Sequence, residues 1–146
     1  MSAPLLVAIL LLASLAAAGC DSSSERRACA PAEPPADAEA LATEALARVC
    51  DWQDRARLPD AAIPGAKLFA TSGCLACHTY LGDGSRNLGA PDLSTIGRRL
   101  KAQFLARYVA DPARFGDDVM PKFRALGRTK LRQLSVFLAA SKGPRR

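Results

Sequence analysis

Residues 74–78 read Cys74-Leu75-Ala76-Cys77-His78, a C-x-x-C-H motif. Two thiols at this spacing on a tight turn can each form a thioether with one vinyl group of a haem, and the histidine after them is placed to bind the iron from below. His78 is the only histidine of the 146-residue chain, so an imidazole ligand has no other candidate. Two rival readings are weaker. A thioredoxin-like C-x-x-C needs a strand–helix–strand setting, and no such pattern surrounds it. A zinc site needs four N or S ligands, and the spare thiols Cys29 and Cys50 stand far upstream of the motif.

An iron held from one side by His78 has an opposite face to fill. Low-spin electron-transfer haems commonly take a methionine thioether there. Met1 heads a segment expected to be removed, which leaves Met120, 42 residues beyond His78, in Asp117-Asp118-Val119-Met120-Pro121. A methionine between two acidic residues and a proline is poorly placed to fill a core, so it reads as the sixth ligand. An open sixth position, or one filled by lysine, is the competing reading.

From about Pro59 to Lys142 the chain resembles a small class I c-type cytochrome with one haem. Besides C-x-x-C-H, Gly65-Ala66-Lys67-Leu68-Phe69 is similar to the glycine and aromatic pair on the family's N-terminal helix, and Leu134-Ser135-Val136-Phe137 to the pair on its C-terminal helix. The resemblance implies that these helices cross closely at the glycine. Phe137 departs from the tyrosine of many members. Gly89-Ala90-Pro91-Asp92-Leu93 resembles the loop whose proline carbonyl accepts a hydrogen bond from the proximal histidine, which carries over to Pro91 and His78. Met120-Pro121 matches the methionine loop. The resemblance implies an all-α domain of about three to five helices wrapped around a single covalently attached haem c, and an electron-transfer protein rather than an enzyme. With a modest core of its own, such a domain is expected to fold poorly without its haem.

Local patterns agree with that class, since alternating strand patterns are absent. A first helix is expected from Pro64 to Gly73, with Pro64 in its first turn. A second runs from Gly97 to Ala110, where Leu100, Phe104, Leu105, Tyr108 and Val109 recur at helical spacing, and Asp111-Pro112 ends it. The last carries Leu131, Leu134, Phe137 and Leu138, is capped by Thr129 and is stopped by Gly143-Pro144. Glycine- and proline-rich loops such as Gly82 to Pro91 are expected at the haem edges. Tyr80, Tyr108, Arg98 and Arg99 are candidates to reach its propionates, and Trp52 reads as packing.

Residues 1–19 read as an export signal. Leu5 to Leu15 is an 11-residue apolar run broken only by Ser14, too short to span a bilayer and suited to a signal-peptide core. Ala17-Ala18-Gly19-Cys20 resembles a bacterial lipobox, with Cys20 as the lipidated residue; the competing reading is signal cleavage after Ala18 and a soluble periplasmic protein. Residues 20–57 form a lipid-anchored linker, rich in Pro, Ser and Ala up to about residue 37. An extra helix is expected from about Asp37 to Trp52, with Leu41, Ala45, Leu46 and Val49 on one face. The haem domain proper spans 58–146. Cys29 and Cys50 remain after Cys20 and the motif are set aside, and export suggests that they pair as a disulfide.

The formal net charge of +6 conceals an asymmetry: residues 1–60 carry 9 acidic and 5 basic side chains, residues 61–146 carry 5 acidic and 15 basic. A basic haem domain suits redox proteins with acidic docking surfaces, with Lys67, Arg86, Lys101, Lys122, Arg124 and Arg128 as candidates. Nucleic acid is a poor partner for an exported chain. The sequence thus points to a membrane-tethered periplasmic one-electron carrier, monomeric or a subunit of a respiratory complex. The alternative is a haem-based gas sensor or peroxidase-like domain with a labile sixth ligand, against which the absence of a second histidine counts.

Overall fold

A computed structural model describes residues 39–144, with side chains from residue 43. The expected signal peptide, Cys20, Cys29 and the linker up to residue 38 lie outside the described residues. Four α-helices are described, α1 (Glu39–Ala56), α2 (Ile63–Thr71), α3 (Ala102–Ala110) and α4 (Gly127–Ala140), joined by short 3-10 turns. The described residues are mostly helical, with α4 packed against both α2 and α3 and α1 laid on α2.

Helix α1 is four residues longer at its C-terminal end than its sequence pattern suggests, and it belongs to the packed body. Ala45, Val49, Trp52 and Ala56 recur at helical spacing and are all buried. The helix ends where Arg57 turns left-handed (φ 50°) and the Leu58 N–H bonds back to the Gln53 carbonyl at 3.0 Å. That closure satisfies a terminal carbonyl, and Pro59 keeps Leu58 from continuing the helix.

Helix α2 has Pro64 in its first turn, where a missing N–H costs nothing, and buries Ile63, Ala66 and Phe69. Gly65 sits against α4: a Cβ there would run into the Gln133 carbonyl and lie 2.7 Å from the Phe137 Cβ. Only a residue without a side chain allows the two backbones so close. Around the crossing, Trp52, Phe69, Tyr80 and Phe137 form one aromatic cluster, with Trp52 4.8 Å from Tyr80 and 5.9 Å from Phe69 between ring centroids. Trp52 packs as expected and also donates its indole N–H to Asp83 Oδ2 at 2.6 Å.

Three local expectations need correction. The segment from Gly97 to Ala110 is not one helix: a 3-10 turn covers Ile96–Arg98, Lys101 is extended, and α3 starts at Ala102. Thr129 does not cap the last helix. Helix α4 starts two residues earlier at Gly127, and no side-chain cap bond closes it. A two-stranded hairpin, β1 (Thr79–Tyr80) with β2 (Asp83–Gly84), comes directly after the motif although no alternation announces it. Its turn is Leu81-Gly82, with φ values of 50° and 99°. A left-handed leucine is unfavourable; here it is held by burial, by its N–H bond to Ser94 Oγ (2.8 Å) and by Arg55 Nη2 donating to its carbonyl (2.7 Å).

Candidate haem site

Gly73, left-handed at φ 83°, ends α2 and turns the chain into a 3-10 turn over Cys74–Ala76. The His78 N–H bonds to the Cys74 carbonyl at 2.9 Å, so the pentapeptide is wound into little more than one turn. Ser85 and Asn87 take up three of its other carbonyls. The Ser85 N–H reaches Leu75 O (2.9 Å), the Asn87 N–H reaches Cys77 O (3.2 Å), and Asn87 Nδ2 donates to Ala76 O (2.6 Å). The loop beyond the hairpin thus fastens the motif from outside.

Cys74, Cys77 and His78 line a cavity of about 600 Å3, within the size range of cofactor sites. Pro91 and Met120 line the same cavity, so all five candidate residues meet there. Most of the wall is apolar, built from residues such as Phe69, Leu100, Phe104, Leu105, Leu134 and Leu138. A second, more open concavity of about 610 Å3 between α3 and α4, lined by Ala106, Arg107 and Arg132 among others, holds none of the candidates.

The His78 ring lies with Nδ1 2.9 Å from the Pro91 carbonyl oxygen. A carbonyl only accepts, so Nδ1 carries the hydrogen and donates, leaving Nε2 with its lone pair free for a metal. Beside this bond, Thr79 Oγ1 donates to Asp92 Oδ2 at 2.7 Å, and the Ser94 N–H donates to Asp92 Oδ1 at 2.9 Å. Burial acts to raise the Asp92 carboxyl, but these hydrogen bonds and nearby Arg86 outweigh it and hold the group below its ordinary value. In the chain without haem, burial pushes the Cys74 thiol up to about 11, away from the activated thiolate of a redox C-x-x-C pair. Among the described residues no group of three or more His, Cys, Asp or Glu is arranged to hold a bare metal ion.

Met120 sits on a loop fastened at both ends. Upstream, Asp117 Oδ1 accepts the Val119 and Met120 N–H groups at 3.1 and 3.0 Å, and Tyr108 Oη donates to Asp117 Oδ2 at 2.6 Å. Downstream, the Phe123 N–H bonds to Val109 O at 3.1 Å. Arg124 reaches Asp111 Oδ2 at 2.7 Å and the Lys122 ammonium lies 3.3 Å from Oδ1. That carboxylate, only 12% exposed, ties the loop to the end of α3. Sequence reasoning missed the parts played by Asp111 and Asp117. The only signal was an aspartate two and three residues before the N–H groups it captures, which is Asx-turn spacing.

Of the four residues offered for propionates, only Tyr108 lines the cavity. Tyr80 is fully buried in the aromatic cluster with its hydroxyl 3.1 Å from Ser141 Oγ, and Arg98 Nε donates to the Lys142 carbonyl at 2.6 Å. Cys50 lies on α1.

Helices set around an apolar cavity, with two thiols, an imidazole and a thioether brought to its wall, have the build of a protein organised around a covalently held macrocycle. Residues 62–133 match the family model described as Cytochrome c, and over this stretch the chain belongs to that family and is a haem-based electron-transfer protein. No curated protein and no solved structure matches the chain significantly. The family's haem c is covalently bound, and the residues present fit it: a cavity of suitable volume, an apolar lining, two thiols at attachment spacing and an imidazole whose metal-binding nitrogen is free. No described helix is long and apolar enough to cross a membrane.

Proposed function

We propose that the protein is a mono-haem, one-electron carrier tethered to the periplasmic face of a bacterial membrane through lipidated Cys20, passing electrons from a respiratory complex or dehydrogenase to a terminal oxidase or reductase. The observation that carries this reading is the meeting of His78 and Met120 on the wall of one apolar cavity. In it, Cys74 and Cys77 would hold the haem by thioether bonds, and His78 and Met120 would ligate its iron. When bound, the haem supplies an Fe(III)/Fe(II) couple.

The chain's own residues then do three things. Pro91 fixes the tautomer and orientation of His78. Met120 would serve as an iron ligand in place of water or substrate, and a thioether favours the reduced state more than a second imidazole. The apolar lining excludes water, which limits reorganisation when charge changes. Leu88 and Val119, 76% and 62% exposed, stand on the rim of the cavity with Arg86 and Lys122 nearby in sequence. An apolar centre with basic neighbours suits brief docking to an acidic redox partner.

The test is the optical spectrum of the matured protein, oxidised and reduced, with and without carbon monoxide. A low-spin reduced spectrum unchanged by carbon monoxide, with a methionine–iron charge-transfer band in the oxidised form that Met120→Ala abolishes, is the expected result. Prompt carbon monoxide binding by the wild type would instead favour the gas-sensor or peroxidase-like reading. Fractionation of a Cys20→Ala variant tests the tether: it should move from membrane to soluble fraction. Co-purification with a membrane complex would point to a fixed subunit.

A further inference from the structure

We propose that Asp117 is the positioning residue for Met120, acting through the loop backbone and itself held in place by Tyr108. The inference rests on Met120 being the sixth ligand and adds what keeps it there. Among the described residues, no backbone–backbone hydrogen bond is made by residues 118–122. Asp118, Val119, Pro121 and Lys122 are exposed, so the segment around Met120 has little packing to fix it. Upstream of Met120, its hydrogen-bonded anchor is one carboxylate. Asp117 Oδ1 takes the N–H of Val119 and of Met120, which sets the backbone from which the thioether projects.

The carboxylate is in turn referred to a rigid element. Tyr108 lies on α3, whose Leu105 and Val109 are buried, and its ring packs against Phe104 and Phe115 at centroid distances of 5.9 and 5.4 Å. Its hydroxyl donates to Asp117 Oδ2 at 2.6 Å. A charged acceptor makes roughly twice the bond of a neutral one, which favours aspartate over asparagine here. The path runs from helix to hydroxyl to carboxylate to the amide of Met120, through two residues that also line the cavity.

The consequence is a population. Met120 is either on the iron or off it, and an added ligand binds only the off state, so its apparent affinity scales with that fraction. The experiment titrates imidazole into the ferric, haem-loaded full chain and records the methionine–iron charge-transfer band beforehand. Asp117→Ala should raise the apparent imidazole affinity about tenfold and weaken the band, since two charge-assisted hydrogen bonds to the loop are lost. Asp117→Asn, which keeps one acceptor oxygen for the two N–H groups, and Tyr108→Phe, which keeps the carboxylate, should each have a smaller effect. Leu131→Ala, a buried change on α4 outside the cavity wall, should lower the melting temperature and leave imidazole affinity within about twofold. An Asp117→Ala protein with full band and wild-type imidazole affinity would overturn the proposal while leaving Met120 as ligand. A wild type with no band, binding imidazole as tightly as Met120→Ala, would remove the ligand assignment and this proposal with it.

Discussion

Thr79 and Asp92 stand one position beyond His78 and Pro91, and the hydrogen bond between them runs alongside the imidazole–carbonyl bond. Two parallel links fix the angle between motif and loop better than one. Because the Asp92 carboxyl is held below its ordinary value in the folded state, its contribution is fully present above about pH 4 and fades as the pH falls through the lowered value. Asp92→Asn should therefore be less stable than wild type at pH 7, and the gap between their urea midpoints should close as the pH is taken towards about 2. A gap that stays constant would mean that the carboxylate's charge is immaterial. At this scale the sequence was legible where chemistry needs a rare residue at a fixed spacing. Cys74, Cys77, His78 and Met120 stood out for that reason. Asp117 and Asp92 act by accepting hydrogen bonds from backbone N–H and hydroxyl groups, work open to any aspartate of the chain, so nothing in composition marked them.

Helix pairing depends on how near two backbones come, and at the α2–α4 crossing Gly65 sets that distance. Gly65→Ala should force the helices apart or distort one of them. The expected cost is about 1–3 kcal/mol, as for other overpacked cores, to be read from urea unfolding. An unchanged midpoint would show that the crossing tolerates a methyl group. The helices were legible from their periodic apolar faces, and their ends less so. The start of α4 was misplaced at Thr129 because a good capping residue is only a candidate until the chain direction is known; here Gly127 (φ 78°) already begins the helix. The hairpin after the motif was invisible for a different reason. Its turn is Leu81-Gly82 rather than the usual Asn-Gly, and the leucine adopts the turn because Arg55, Ser94 and burial hold it there. Tertiary contacts of that kind leave no local pattern.

Across the whole chain, charge is divided. The stretch after residue 60 carries 15 basic and 5 acidic side chains, while Asp111 engages Lys122 and Arg124 and leaves Lys67, Arg86, Lys101 and Arg128 exposed. If the acceptor is acidic, the bimolecular rate of electron transfer should fall steeply as ionic strength rises from about 0.01 to 1 M, over which the screening length shrinks about tenfold. Stopped-flow oxidation of the reduced protein would measure it, and a flat response would count against electrostatic docking.

Trp52 is the single indole of the molecule, and Phe69 touches it on one side and lines the cavity on the other. One ring therefore separates the protein's strongest emitter from the place where a strongly absorbing macrocycle would lie. Light absorbed by that indole would pass to the macrocycle rather than be emitted, so the chain should be dark when filled and folded. It should brighten when either condition fails, which makes its own fluorescence a gauge of maturation that needs no label.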